Sequence, residues 1–272
     1  MLNLKICQRF EALESERKGS VEQLWDLIER FVLPFRGDFY ATLDSENEVD
    51  WHRRDVYDST SVFACQSLAA SLQGNLTSAQ SQWFDMQFRQ ADLNEQDEAM
   101  EWLEAVSKII FESLLESNFN IEISETYIDL CGFGTAALVE EVEDELEWKG
   151  LNFQAVPIRE LFFEEDHKKQ VKRLYRRLQM TAVQIVDQFG EEHVPQSIRD
   201  KAEGTKGATE KETVIFCIFD RPDKATADVF NVLAPKERPF GFKYILETGQ
   251  ETLGEEGGYY EMPAFIARWR KV

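Results

Sequence analysis

Residues 58–77 read Asp-Ser-Thr-Ser-Val-Phe-Ala-Cys-Gln-Ser-Leu-Ala-Ala-Ser-Leu-Gln-Gly-Asn-Leu-Thr, and this stretch decides the fold of the first half of the chain. Its apolar residues recur at helical spacing and predict a helix from about residue 55 to residue 73 that ends at Gly74. Small residues within it allow a neighbouring element to pack closely. The apolar positions are Val56, Phe63, Leu68, Ala69 and Leu72, and the small ones include Ala64, Ala70 and Ser71.

Further helices are predicted on both sides of this stretch. Upstream, Ser20-Val21-Glu22-Gln23 has the pattern of a capping box, and the helix that it opens ends at Pro34. Downstream, residues 83–88 alternate apolar and polar from Phe84 onward, which predicts a short strand. Two more helices are expected, one over about residues 92–118 and one that breaks at Gly132-Phe133-Gly134.

The second half of the chain is expected to form strands. Residues 136–142 and 151–158 flank an acidic connection and predict a hairpin. Thr181-Ala182-Val183-Gln184 is a second capping box, whose helix ends at Gly190. The fold class predicted is therefore α+β, with N-terminal helices followed by an antiparallel sheet region. Remaining strands are expected at residues 213–219, 241–246 and 264–269, and a polar loop is expected at 200–211. The chain is expected to divide into a helical region over 1–135 and a β-rich region over 136–272.

The composition opposes a protein that grips nucleic acid by its phosphates. With 51 acids against 30 bases the formal charge is −21, whereas phosphate binding needs clustered lysine and arginine. Solubility and repulsion between copies explain the excess of acid as well. The four cysteines lie far apart beside apolar residues and are interpreted as reduced, buried thiols. With no apolar run near membrane length and no signal peptide at the N-terminus, the chain is expected to stay in the cytosol.

A search for catalytic, cofactor-binding or metal-binding residues predicts none. The three histidines are scattered through polar stretches without the spacing of a metal site. Gly132-x-Gly134 follows a helix instead of a strand and is typical of a helix-ending turn. The acids between Glu140 and Glu147 are nearly consecutive, whereas a two-metal site needs carboxylates that converge from different elements.

One basic run stands against this acidic background. Residues 168–177 hold six bases in ten positions. Three interpretations are open: an electrostatic contact with a neighbouring copy of the chain, a solvated strand, or a contact with nucleic acid. The net charge favours the first, with residues 140–147 of the next copy as the acidic partner, so charge reversal at Arg173 and Arg177 is expected to weaken a ring. The positions proposed for the contact between subunits are Lys169, Lys172, Arg173, Arg176 and Arg177.

Two segments, residues 58–84 and 175–190, resemble in order those of the head-to-tail connecting (portal) proteins of short-tailed bacteriophages. The likeness spans roughly residues 20–190 and rests largely on packing residues. In the first segment its positions are Asp58, Thr60, Ala64, Leu68, Ala69, Leu72, Leu76, Thr77, Trp83 and Phe84. Further along they are Gly134, Thr135, Thr181 and Gln184.

The resemblance implies a structural subunit with no catalytic residue. Members of the family form twelve-fold rings at one capsid vertex, through which duplex DNA is packaged and ejected. The resemblance further implies docking of the terminase large subunit, contacts with capsid or scaffolding protein and with tail adaptor proteins, no membrane contact, and a place in the virion after assembly in the host cytoplasm. Twelve such chains would carry about −250, and an acidic channel wall would let a duplex slide.

One departure from the family pattern shapes the remaining expectations. Family members are longer, so this sequence corresponds to the wing and the approach to a missing stem, and in isolation it is expected to stay monomeric.

An alternative function is an acidic adaptor or DNA-mimic protein without catalytic activity, which explains the charge but not the ordered segments. A carboxylate-dependent hydrolase would need acids that converge in a pocket.

Overall fold

The computed structural model describes residues 2–34, 57–142, 150–204, 207–222 and 233–269, and confirms the α+β class. The chain divides into two compact units. Unit 1 comprises residues 1–23 and 158–263, and unit 2 comprises residues 24–157 and 264–272. The predicted division into a helical region 1–135 and a β-rich region 136–272 remains a prediction. Within the described ranges, no helix is both long enough and apolar enough to span a membrane.

Unit 1 is built on a five-stranded antiparallel sheet. Its order is β3-β4-β5-β6-β7, so each strand pairs with the next one along the chain. Helix α1 (Leu2–Ser20) precedes the sheet in sequence, and two short helices lie between β4 and β5. The strands are β3 (Leu161–Glu165), β4 (Val171–Thr181), β5 (Lys211–Asp220), β6 (Phe240–Leu246) and β7 (Glu251–Tyr259), and the short helices are α6 (Ala182–Phe189) and α7 (Gln196–Glu203).

Both faces of this sheet are covered. Successive side chains of a strand point to opposite faces, yet residues 214–218 of β5 are all buried. On one face α1 packs Ile6, Cys7 and Phe10 against residues that include Ile215 and Cys217. On the other face α6 and α7 pack Ile185 and Ile198 against residues that include Val214. Unit 1 therefore has two apolar layers that share β5.

A buried arginine fixes the end of α1 to the chain before β3. The Arg17 guanidinium donates to the backbone oxygens of Ile158, Arg159 and Leu161 at 3.0–3.1 Å and lies 3.1 Å from a Glu22 carboxylate oxygen. Its Cζ also lies 3.8 Å from the centre of the Phe162 ring. Burial lowers the pKa of Arg17 while the Glu22 carboxylate raises it. Buried charges require this kind of pairing, so Arg17 holds α1 in place.

Unit 2 joins helices to a small sheet. The antiparallel order is β2-β1-β8, so the last strand of the chain returns to pair with the first. Below this sheet Phe119 packs against Leu138 and Phe153. The helices are α2 (Glu22–Phe31, of which residues 24–31 belong to this unit), α3 (Thr60–Leu76), α4 (Asp97–Glu116) and α5 (Phe119–Phe133), and the strands are β1 (Thr135–Val142), β2 (Leu151–Val156) and β8 (Ala264–Arg268).

Side chains of α5 and its N-cap occupy the outer edge of β2. Asn118 Nδ2 donates to the Phe153 oxygen and Asn118 Oδ1 accepts from the Phe153 nitrogen, both at 2.8 Å. Glu122 Oε2 accepts from the Ala155 nitrogen at 2.7 Å. The amide groups of β2 that face away from β1 at these positions are thereby satisfied by side chains instead of by a fourth strand.

Several predicted elements are confirmed, and others are wrong. The hairpin of β1 and β2, the end of α5 at Gly134 and strands β5, β6 and β8 lie where the sequence placed them, within a few residues. The capping box at Ser20 is wrong, because the Ser20 hydroxyl donates to the Glu16 oxygen at 2.8 Å and Ser20 is the last residue of α1. Residues 83–88 form no strand. The loop expected over 200–211 begins within α7, and the helix expected from residue 55 begins at Thr60, with residues 55–56 and 205–206 outside the described ranges.

Candidate interaction surfaces

Helix α3 carries most of the first family segment, and only part of that segment is buried. Asp58 Oδ1 accepts from the Thr60 nitrogen at 2.9 Å and from the Thr60 hydroxyl at 2.6 Å, which starts the helix. These two hydrogen bonds, from the hydroxyl and then from the backbone, lower the pKa of Asp58. Of the other family positions on or next to α3, Ala69 and Thr77 are buried and Leu72 is half-buried, whereas Ala64, Leu68 and Leu76 are exposed.

The buried face of α3 packs on α5. Cys65 lies on this face, with its Sγ 3.9 Å from the Ile128 oxygen. Gln73 Nε2 donates to the Asn120 oxygen at 2.9 Å, and the Thr77 hydroxyl lies 3.3 Å from the Tyr127 hydroxyl. A Cβ on Gly132 would come within 2.5 Å of Leu33 Cδ1, so a larger residue at this position of α5 would require the Leu33 side chain to move. Of the family positions, Thr77 takes part in these contacts.

Trp83 and Phe84 belong to an aromatic cluster and not to a strand. The Trp83 ring stacks on Phe119 with centroids 6.2 Å apart, and Phe84 meets Phe111 edge-on at 6.4 Å. The two rings also contact each other at 5.0 Å. The alternation that suggested a strand therefore arises because aromatic side chains anchor an irregular segment to the helices.

The later family positions end or begin elements. Gly134 adopts a positive φ of 73° as the C-cap of α5, a conformation that glycine tolerates best, and Thr135 opens β1. At the start of α6, Thr181 and Gln184 form the predicted capping box: the Thr181 hydroxyl accepts from the Gln184 nitrogen, and the Gln184 side chain accepts from the Thr181 nitrogen. This prediction is confirmed.

The basic run lies on β4 and the turn before it, and five of its six bases have carboxylate partners within the same chain. Arg173 pairs with Glu164 at 3.1 Å, Arg176 with Glu160 at 3.0 Å, and Arg177 with Glu14. Lys169 and Lys172 lie within 4.0 Å of acids in the same unit. Side chains of Lys169 and Arg173 are 58% and 48% exposed, whereas those of Arg176 and Arg177 are 15% and 29% exposed.

Two carboxylates of unit 1 organise this charge network, and no sequence pattern pointed to either. The Glu164 carboxylate accepts hydrogen bonds from the Arg9 and Arg173 guanidinium groups and from the Tyr175 hydroxyl at 3.3 Å. Burial, together with nearby negative charge, raises the pKa of Tyr175 well above its ordinary value, so the phenol stays protonated. Glu14 lies on α1, more than 160 positions before Arg177, and no local pattern connects residues at such a separation.

The acidic run proposed as the opposite partner falls mostly outside the described residues. Glu140 and Glu141 close β1, and residues 143–149 lie beyond the described part. Burial raises the pKa of Glu140.

Reactive groups are dispersed in the described part of the chain. Within it, no cluster of three or more histidine, cysteine or acidic side chains could hold a metal ion. His167 and His193 are exposed, and His52 lies outside the described residues. Cys7, Cys65 and Cys217 are buried thiols and Cys131 is a half-buried one, and none of the four forms a disulfide. Burial raises the pKa of Cys217 to about 12, which keeps this thiol protonated at neutral pH.

Comparison with known proteins places these features in one family. The profile of the family described as "Bacteriophage head to tail connecting protein" matches residues 4–272. A "Probable portal protein" of Bordetella phage BPP-1 is 25% identical over 272 residues, 98% of this chain and 46% of the relative. A "Portal protein" of Salmonella phage epsilon15 is 25% identical over 266 residues, 97% of this chain and 46% of the relative. The chain thus spans less than half the length of these curated relatives, and it belongs to the bacteriophage head to tail connecting protein family.

Proposed function

We propose that the chain is part of a structural portal subunit, the head-to-tail connector of a tailed phage. Copies form a ring of twelve at one capsid vertex, through which duplex DNA is packaged and later ejected. The ring docks the terminase large subunit, capsid or scaffolding protein and tail adaptor proteins. It assembles in the host cytoplasm, remains in the virion, and itself catalyses no reaction. The observation that carries this proposal is the match of the family profile over residues 4–272.

The charge of the chain supports a role as a conduit. Each copy carries −21, and a surface that holds a duplex firmly needs clustered lysine and arginine. The one basic run is engaged with carboxylates of its own unit, which leaves it less positive charge to offer to phosphate. A duplex would therefore meet little adhesion on such a ring.

Negative-stain electron microscopy of the complete gene product tests this function. We expect rings with twelve-fold symmetry, and native mass spectrometry should give the mass of twelve copies. A small monodisperse particle in light scattering would contradict the proposal and favour an acidic adaptor instead.

A contact between subunits through the basic run forms the second part of the proposal. The more exposed members, Lys169, Lys172 and Arg173, are the best candidates, because Arg176 and Arg177 are engaged in ion pairs at less exposed positions. These exposed bases lie on β4 and the turn before it. Their ion pairs within the chain are exposed to water and contribute little to stability, so the bases can exchange carboxylate partners at small cost.

The double variant Lys169→Glu, Arg173→Glu tests this contact. We expect it to shift the assembly measured by native mass spectrometry toward smaller species, most strongly at low salt, because the contact is electrostatic. The double variant Lys5→Glu, Lys108→Glu is the matched control, because it reverses two charges at exposed positions of α1 and α4, outside the run. Rings that form equally well in both variants would remove the basic run from the interface.

A further inference from the structure

Residues 59–84 carry no Lys, Arg, Asp or Glu, although these residues make up 30% of the chain. At that frequency, a run of this length would hold about eight charged residues. Burial within the described part of the chain does not explain the lack of charge. Along α3 only Val62, Cys65 and Ala69 are buried, and most of the other positions are exposed.

The outer face of α3 combines small residues with exposed apolar ones. Phe63 is 71% exposed and Leu68 44% exposed. Between them the helix presents two adjacent rows at i, i+4, i+7 and i+11 spacing, which lie side by side on one surface. The rows are Phe63, Ser67, Ala70 and Gly74, and Ala64, Leu68, Ser71 and Asn75; all eight residues are exposed, and together they are called the α3 outer face.

Two polar side chains of this face donate hydrogen bonds within the helix. The Ser71 hydroxyl donates to the Ser67 oxygen at 2.8 Å, and Asn75 Nδ2 donates to the Ser71 oxygen at 2.7 Å. Burying a polar group is costly mainly when it loses its hydrogen bond to water without a replacement. Because these donors already have partners inside the helix, a second surface could cover the face without stranding them.

The charge of the chain determines which partner suits such a face. Binding to nucleic acid requires lysine or arginine side chains, which α3 lacks. A basic protein would be drawn to the acidic surfaces of this chain in preference to a neutral one. Two copies that each carry −21 repel each other, and a neutral apolar face is where they can approach with the least repulsion. The cores of protein interfaces show the same depletion of charge.

We propose that the α3 outer face is a contact surface for a second copy of this chain. The inference rests on the proposed ring, and it assigns the contact to unit 2, separate from the basic run of unit 1. In a ring the two sides of a contact differ, so the face would meet a different surface of the neighbouring copy. The small residues allow that surface to approach the helix closely.

Single charges placed on the face test the proposal in the complete gene product. Ser67→Glu and Ala70→Glu should each raise the apparent dissociation constant for self-association at least about tenfold in sedimentation velocity. Ala70→Ser keeps the face neutral and should associate like the wild type. Gln188→Glu adds the same charge at an exposed position of α6 and is the matched control. Far-UV circular dichroism checks that each variant is folded.

The outcomes separate this inference from the proposed function. If rings form and Ala70→Glu leaves them intact, the α3 face is not the contact, although the portal function stands. If association is lost in Ala70→Glu but the wild-type particle is a small oligomer, the contact stands and the ring does not. Equal loss in Gln188→Glu would overturn the inference, because net charge alone would then explain the effect.

Discussion

In unit 1 five consecutive residues of β5 are buried, on both faces of the sheet, whereas in unit 2 only three of the seventeen residues of α3 are buried. Fifteen of the nineteen large apolar side chains that are exposed in the described part of the chain lie in unit 2. The ion-pair network around Glu164 and Glu14, by contrast, lies in unit 1. Unit 1 thus buries apolar side chains on both faces of its sheet, whereas unit 2 leaves more of its large apolar side chains exposed.

The largest effect expected in unit 1 comes from the buried arginine. Arg17→Met removes the donor to three backbone oxygens and leaves Glu22 buried without this partner, at a cost of about 3–5 kcal/mol. Chemical denaturation measures the loss, and hydrogen exchange should show α1 and β3 opening first. Arg9→Met is the control on the same helix: Arg9 is half-exposed, and its pair with Glu164 is worth at most about 1 kcal/mol. Equal costs for the two variants would mean that Arg17 is not a structural pin.

Truncation of one apolar residue in each unit tests the comparison directly. Ile215 is fully buried between the layers of unit 1, so Ile215→Ala should cost about 2–5 kcal/mol. Phe63 is mostly exposed, so Phe63→Ala should change the stability of the dilute protein by less than about 0.5 kcal/mol. Thermal unfolding at low concentration compares them. A large loss in Phe63→Ala would show that the α3 outer face already packs within its own chain.

The N-caps of α6 and α3 give a smaller contrast. Thr181→Ala breaks a complete capping box and should cost about 1 kcal/mol. Ser59 holds the same position before α3, but its side chain makes no capping hydrogen bond, so Ser59→Ala should lie within about 0.5 kcal/mol of the wild type. Urea unfolding measures both variants. A matching loss at Ser59 would imply that its hydroxyl caps α3 in solution.

Acid should weaken unit 1 through its paired carboxylates, with the smallest of these effects. Burial alone would raise the pKa of Glu14 and of Glu256, but hydrogen bonds from Lys18 and Lys243 and the charges of Arg177 and Arg221 lower both below the ordinary 4.5. The unfolded chain then binds more protons than the folded chain. This stabilisation is therefore present above pH 4.5 and is lost as the pH falls through the lowered pKa values of the folded state. Glu14→Gln should flatten the loss in urea unfolding below pH 4.5. An unchanged slope would show that Glu14 does not contribute.

Local patterns predicted the local parts of this fold. The capping box at Thr181 and the helix end at Gly134 involve residues within four positions of each other, and both are confirmed. Ser20 has the same kind of pattern, but its hydroxyl had a competing acceptor one turn earlier in the preceding helix. Strand β7 was not predicted, because it is rich in glycine, which is uncommon in strands. The glycine at position 257 is explained by a tertiary contact, since a Cβ there would lie 2.3 Å from the Phe242 ring.

The interaction surfaces were harder to predict than the elements. Ordered packing residues indicated the family, which the family profile then confirmed. The partners of the basic run could not be foreseen, because Glu14 reaches Arg177 from a distant part of the sequence through the packing of α1 on the sheet. The strand expected at residues 83–88 failed for a related reason, since its aromatic residues pack on helices instead of pairing with a strand.

The side chains that occupy the edge of β2 have a consequence for the chain before assembly. An open strand edge invites pairing with any other chain, which leads to aggregates without defined stoichiometry. Asn118 and Glu122 block this route at Phe153 and Ala155. The outer edge of β2 is thus protected at these two positions against pairing with a strand of another chain.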